Sequence, residues 1–300
     1  MRTIKIEKKH DCEEMKRRLV AKDYEPLHLF DGDQAIHVLK PDGTTLLKYI
    51  PGWFAAYTVG MKPIMRKMAS GTNNRMSAAG AENNAIVPNM TKAGRKIKQN
   101  GTISNTHRGA MVLSGIAGNF ERTVRQPYCR QTSFVLKNLS KWKKYIGFMQ
   151  AADAGFAEHL PERYAAQKEY ASATHEAWVV PGTCFTTATV NRNWQTALHT
   201  DKGDLEQGFG VMACFRNELY SGAELCFPAF SCGINMRDGS LLLADVHEWH
   251  GNRPFTAVKA GFERISNVLY YRQHMRECGT PAEELTRAKN RMKGEAIRGK

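Results

Sequence analysis

The sequence predicts an α+β protein: a double-stranded β-helix (jelly-roll) core with an N-terminal α+β cap and flanking helices. Three observations point there. From 184 to 273, short alternating apolar runs are punctuated by glycine and proline, as in an all-β unit. Runs such as 210–215, 224–227 and 265–271 have strand length, and a jelly roll closes such strands around a central cavity. Ahead of them, 139–175 reads as helix, broken at Pro161, where a proline cannot continue the hydrogen-bond ladder.

The elements follow in four zones. Residues 1–60 read as the cap, with a helix over 12–22 and short strands near 35–39 and 44–49. Residues 61–180 form a basic and helical region, in which the apolar run 110–115 precedes the helices. Residues 181–276 are the jelly-roll core, and 61–276 can form one domain. Residues 277–300 read as a charged surface helix that frays at its end.

Composition narrows the partners. The chain of 300 residues carries a net charge of +14. Between Lys62 and Lys144 there are 16 Lys and Arg against two acids, Glu82 and Glu121, so 16 − 2 = +14 falls in about a quarter of the length. A field so concentrated favours phosphate backbones. Within it, Arg75 and Arg108 sit in small-residue loops, and Arg95, Lys96 and Lys98 cluster. These five are the candidate DNA-binding residues; a solvated basic face is the plainer alternative. No apolar run is long enough to cross a bilayer, and the first residues lack the apolar core of a signal peptide. Seven cysteines, with no Cys-x-x-Cys pair, favour a reduced intracellular setting over a disulfide framework. No obligate protein partner is evident.

The chemistry concentrates at His199-Thr200-Asp201, His250-Gly251-Asn252 and Arg264-Ile265-Ser266. Two histidines and a carboxylate form a facial triad that suits Fe(II) and leaves coordination positions open. If 199–201 is a strand, His199 and Asp201 share a face. The run 239–245 reads as the strand that delivers the third ligand. His247 and His250 both compete for that role. His250 is favoured because Gly251-Asn252 permits a tight turn, which leaves His247 as a residue that hydrogen-bonds a ligand. Arg264 and Ser266 share a face on the last strand, and a guanidinium can hold a carboxylate by two parallel bonds. Each piece alone has a bland reading, from chance pairing to a surface charge. Their order along the chain is far more specific.

That order resembles the TET/JBP family of nucleic-acid-modifying dioxygenases, closest to its base J-binding-protein branch. The likeness runs through Phe185 to Asn193, His199 to Leu205, Tyr220 to Leu225, Glu248 to Asn252 and Arg264 to Tyr271. It covers roughly 100–275 and is strongest from 184 on; the first hundred residues match nothing placeable. The resemblance implies Fe(II), 2-oxoglutarate and O2 as cofactors. It implies His199, Asp201 and His250 as metal ligands and Arg264, with Ser266, for the co-substrate. The implied reaction is hydroxylation of the C5-methyl group of a pyrimidine in DNA, with the base flipped out to reach the metal. 5-Methylcytosine is slightly preferred over thymine, because thymine is a quarter of all bases. Asn191, Arg192, Asn193, Trp194 and Phe209 are candidate pocket residues, and Trp249 a candidate wall. One departure stands out: the family has Gly-Gly where this chain has Gly222-Ala223. The alternatives are a dioxygenase of RNA, nucleotide or protein, or a DNA-binding module with a vestigial iron site. The expected location is DNA-associated and intracellular, cytoplasmic in a bacterial or viral source and nuclear in a eukaryote.

Overall fold

The structure is a computed structural model. It describes residues 1–16, 18–72 and 112–298, the last seven by backbone alone, with the backbone of 95–97 and 103–107. Its strands are β1 (Arg2–Lys5), β2 (His28–Phe30), β3 (Ile36–Leu39), β4 (Thr45–Ile50), β5 (Arg95–Ile97), β6 (Ile103–His107), β7 (Ser114–Phe120), β8 (Arg130–Gln131), β9 (Thr187–Arg192), β10 (Gly210–Arg216), β11 (Tyr220–Gly222), β12 (Leu225–Phe227), β13 (Cys232–Ile234), β14 (Ser240–Ala244), β15 (Gly251–Asn252), β16 (Phe255–Ala257) and β17 (Arg264–Tyr270). The major sheet has the order β1-β3-β4-β14-β10-β17-β9-β7-β8, and a minor sheet the order β15-β12-β13-β2. Both belong to an α+β fold with a double-stranded β-helix core. β10 and β14 are buried at every position, so they read as continuous apolar runs rather than alternating ones.

The chain divides into two compact units. The first comprises Met1–Gly115, Val190–Asp201 and Ala213–Ser266. In it β1 pairs parallel with β3, and β3 and β14 flank β4 antiparallel. In the minor sheet β2 pairs parallel with β13, and β12 pairs antiparallel with β13 and β15. Helix α1 (Thr58–Met68) buries Ile64, Met65 and Met68. The strands expected near 35–39 and 44–49 are β3 and β4. Among the described residues of the helix expected over 12–22, only the 3-10 turn Glu13–Met15 forms. Its potential ladder is broken by tertiary demand. The Arg18 carbonyl accepts from the Leu198 N–H (2.9 Å) and the Val20 carbonyl from Gln195 Nε2 (3.1 Å).

The second unit comprises Ile116–Thr189, Lys202–Met212 and Asn267–Lys300. It holds α2 (Ser133–Lys137), α3 (Leu139–His159), α4 (Pro161–Ser172) and α5 (Pro281–Arg298). Pro161 ends one helix and starts the next, where its missing N–H is not needed. Trp142, Tyr145, Phe148, Met149, Ala152 and Phe156 bury one stripe of α3 at helical spacing. At the start of α5, Thr280 and Glu283 cap reciprocally. The charged helix is not wholly superficial: Glu284 is buried and accepts from the Cys129 and Gly279 N–H groups and from Arg122. The expectation of free thiols fails at one pair. Cys129 and Cys278, 149 residues apart, form a disulfide with Cα atoms 5.8 Å apart. The other five cysteines are free and buried.

Candidate metal and co-substrate site

The first unit brings His199, Asp201 and His250 together, with one ligand atom from each lying within 4.8 Å of the others. The route differs from the expected one. No regular strand runs through 199–201; His199 instead makes a single antiparallel bridge with His250, each N–H reaching the other's carbonyl at 3.0 Å. Asp201 is anchored by its N–H on the Val246 carbonyl at 3.0 Å. β14 ends at Ala244, and the turn after it carries Val246, Glu248 and His250. Gly251 serves close approach rather than a tight turn. It sits in β15, where a Cβ would press on the backbone of 196–198 at about 3.1 Å.

The histidine rings are set for a metal. His199 Nδ1 faces the Ala197 carbonyl (2.7 Å) and His250 Nδ1 the Glu248 carbonyl (2.9 Å). A carbonyl can only accept, so both Nδ1 atoms carry the proton and both Nε2 atoms present a lone pair. These Nε2 atoms lie 3.6 and 3.8 Å from the two carboxylate oxygens of Asp201. Burial, with the adjacent His199 ring, lowers the His250 pKa to about 4 against the opposing pull of Asp201. The ring is therefore neutral and ready to ligate at neutral pH. Two imidazole nitrogens and one carboxylate are a donor set that fits Fe(II). His247 stays out of the group. Its N–H and Nδ1 meet Asp245 Oδ1 at 3.1 and 3.4 Å, and that carboxylate also takes Lys40 Nζ at 2.9 Å. Sequence reasoning misses Asp245, although an acid closing the apolar run 241–244 is a readable signal.

Arg264 opens β17 and is buried. Among the described residues, no hydrogen bond or ion pair reaches its guanidinium. A buried charge without a partner is costly, so it fits the far carboxylate of a dicarboxylic co-substrate. Ser266 follows two positions on along β17, half-buried. Glu263 takes the two neighbouring guanidinium groups instead: Arg66 at 2.8 and 2.6 Å and Arg192 at 2.9 Å. The Arg66 hydrogen bonds, then both positive charges, hold Glu263 below its ordinary pKa. No sequence signal pairs Arg66 with Glu263, 197 positions apart.

The candidate pocket residues are placed as follows. Asn191 accepts from the Ser114 hydroxyl at 2.7 Å. β9 ends at Arg192, and Asn193 turns left-handed (φ 48°), so Asn191 and Asn193 do not continue one alternating face. Both ends of the Asn193 amide bond backbone: Oδ1 accepts from Arg264 N–H (2.8 Å) and Nδ2 donates to the Phe262 carbonyl (3.1 Å). Trp194 packs on Val112, and its buried indole N–H has no hydrogen-bond partner among the described residues. Trp249 is buried. Phe209 lies in the second unit, under Arg163 and with its N–H on Gln167. Arg75, Lys98 and Arg108 lie outside the described residues, as do the side chains of Arg95 and Lys96.

A β-helix core with a His-x-Asp…His group and a buried unpaired arginine defines the class of Fe(II)- and 2-oxoglutarate-dependent dioxygenases. Comparison with known proteins narrows this. Residues 116–273 match the family model described as Tet_JBP, the oxygenase domain of the 2OGFeDO superfamily, and the chain belongs to that family. It is 34% identical over 173 residues to thymine dioxygenase JBP1 of Trypanosoma brucei brucei, covering 56% of this chain and 20% of that protein. It is 32% identical over 193 residues to thymine dioxygenase JBP1-B of Trypanosoma cruzi, covering 62% and 23%. The chain thus spans about a fifth of the length of these relatives. The solved structure of NgTET1 in complex with 5mC DNA shares the fold, with a TM-score of 0.55, 13% identity and coverage of 90% and 89%. No described helix is long and apolar enough to cross a membrane.

Proposed function

We propose that this chain hydroxylates the C5-methyl group of a pyrimidine base in DNA. The observation that carries this is the His199, Asp201 and His250 group in a Tet_JBP oxygenase domain. In this reading His199 Nε2, His250 Nε2 and the Asp201 carboxylate hold Fe(II), and Arg264, with Ser266, binds the far carboxylate of 2-oxoglutarate. Loaded with both and with O2, the site oxidises a methyl C–H to an alcohol and releases succinate and CO2. The chain's own residues bind, orient and shield. The carbonyls of Ala197 and Glu248 fix both imidazole rings, and burial of His250 keeps a proton from competing for its lone pair. The target base is flipped out of the duplex to reach the metal. DNA and a DNA-associated, intracellular location go with this reading, as does a phosphate-binding role for Arg75, Arg95, Lys96, Lys98 and Arg108.

We favour 5-methylcytosine as the base, on the abundance argument. Thymine is the second reading, supported by the thymine dioxygenases at 34% and 32% identity. Incubation of methylated and unmethylated duplexes with the protein, Fe(II) and 2-oxoglutarate, followed by nucleoside mass spectrometry, decides. 5-Hydroxymethylcytosine from methylated DNA supports the first, and 5-hydroxymethyluracil from either duplex the second. Neither product from DNA, with turnover of RNA, nucleotide or peptide, overturns both; a protein that binds duplex without turning over any substrate is the vestigial case. The DNA-binding role has its own test. Neutralising Arg95, Lys96 and Lys98 together should flatten the slope of log affinity against log salt by about one for each phosphate left without its cation, measured by fluorescence anisotropy. A wild-type slope would assign that cluster to solvent.

A further inference from the structure

We propose that Asn193 is the positioning residue for Arg264, setting where the co-substrate's far carboxylate is held; this rests on the reading of Arg264 above. Asn193 is a non-glycine residue in the left-handed region, at φ 48°. Asparagine tolerates that conformation better than most residues, and it persists where surrounding bonds enforce it. Here three bonds do. Its N–H donates to the Arg264 carbonyl at 2.9 Å, its Oδ1 accepts from the Arg264 N–H at 2.8 Å, and its Nδ2 donates to the Phe262 carbonyl at 3.1 Å.

The residue between is tied as firmly. Glu263 donates its N–H to Asn217 Oδ1 at 3.1 Å and accepts from the Asn217 N–H at 3.0 Å. Its carboxylate engages Arg66 and Arg192. Backbone groups of 262–264 are thus fixed and two nearby guanidinium groups occupied, while the Arg264 guanidinium keeps no protein partner among the described residues. A fork-shaped donor gives its full bidentate bond only when its carrier is held in place. Asn193 is spent on that holding, so its amide is not available to read a base.

The test uses the full chain loaded with Mn(II), with 2-oxoglutarate binding measured by calorimetry. Asn193→Gly accepts the left-handed backbone without strain, keeps the N–H bond to the Arg264 carbonyl and removes the two side-chain bonds. It should weaken 2-oxoglutarate binding roughly fivefold or more, the scale of broken hydrogen bonds, with Mn(II) affinity unchanged in the absence of 2-oxoglutarate. Asn193→Asp keeps the acceptor for the Arg264 N–H but sets a carboxylate oxygen against the Phe262 carbonyl, and should also bind 2-oxoglutarate more weakly than wild type. In an Arg264→Ala background, Asn193→Gly should add no further loss. If Arg264→Ala binds 2-oxoglutarate like wild type, the underlying reading of Arg264 fails. If Arg264→Ala is weak while Asn193→Gly is normal, only the positioning role fails. Equal losses of Mn(II) and 2-oxoglutarate affinity would also overturn it.

Discussion

The proposed metal end and the proposed arginine end of the site are held by different mixes of atoms. At the metal end the partners are main-chain carbonyls: Ala197 for His199, Glu248 for His250 and Val246 for Asp201. At the arginine end side chains are added to main-chain bonds: the Asn193 and Asn217 N–H groups reach the Arg264 and Glu263 carbonyls, while the Asn193 amide also binds Arg264, and Asn217 with two arginines also binds Glu263. A carbonyl is supplied by any residue, so the metal end should tolerate substitution around its ligands as long as the backbone path survives. The arginine end should be sensitive at residues that never touch the co-substrate.

The largest effects belong to the ligands. His199→Ala, Asp201→Ala or His250→Ala should each lower Mn(II) or Fe(II) affinity by at least about a hundredfold, because loss of a mere ligand partner already costs about 10- to 100-fold. His247→Ala removes a ring that bonds Asp245, and should stay within about tenfold. Metal titration of the four variants checks this. A dead His247 variant beside an active His250 variant would break the assignment and the comparison with it.

Arg264→Lys comes next. It keeps the charge and loses the planar fork, so the 2-oxoglutarate requirement should rise about tenfold or more, with metal affinity unchanged. A 2-oxoglutarate titration of succinate release reads it. An unchanged requirement would remove the arginine end altogether.

The same contrast explains what is legible in the sequence. The proposed ligands and Arg264 stand out in the sequence because the chemistry restricts their identity and their order. The strands at 36–39, 45–50, 210–216 and 264–270 are readable because core burial imposes composition on them. The conformation of 199–201 is not, since a residue pair two apart converges from a loop as well as from a strand once backbone bonds to 246 and 250 fix it. The helix at 12–22 fails for a related reason: its carbonyls serve the loop before His199, with Gln195 reaching back 175 residues to Val20. Asn193 reads as a candidate pocket residue in the sequence. Only the turn at φ 48° commits it to β17.

The metal end also predicts a pH dependence in the metal-free protein. His250 has a folded pKa of about 4 against an ordinary 6.5. Between those values the unfolded chain binds the proton and the folded chain does not, so acid favours unfolding. Its contribution is fully present above pH 6.5 and falls as the pH drops toward 4, by up to about 3 kcal/mol on the scale of about 1.36 per unit. Thermal melts in chelator should show the wild type losing stability across that window more steeply than His250→Leu. Parallel curves would mean that the ring is solvated.

The smallest effect concerns Ala223, where the resemblance implies a second glycine. Ala223 adopts φ 65°, and its carbonyl accepts from Asn252 Nδ2 at 3.1 Å, beside β15. A left-handed L-residue costs roughly 1–2 kcal/mol. Glycine would remove that strain, but would add about 0.4–1 kcal/mol of unfolded-state freedom. It would also give up about 0.8 kcal/mol for one buried methyl group, since Ala223 is buried. The contributions nearly cancel, so Ala223→Gly should change stability by less than about 1 kcal/mol, with metal and 2-oxoglutarate binding unchanged. That near-balance is how alanine can stand where the resemblance implies glycine. Ala223→Val should not be neutral. A β-branched side chain is a genuine outlier at positive φ, and the same backbone carries the bond to Asn252, two residues from His250. Denaturant unfolding of the pair checks it. A large gain from glycine would mean that the strain is not offset, whereas a valine variant with normal metal affinity would show that the turn is not needed to place His250.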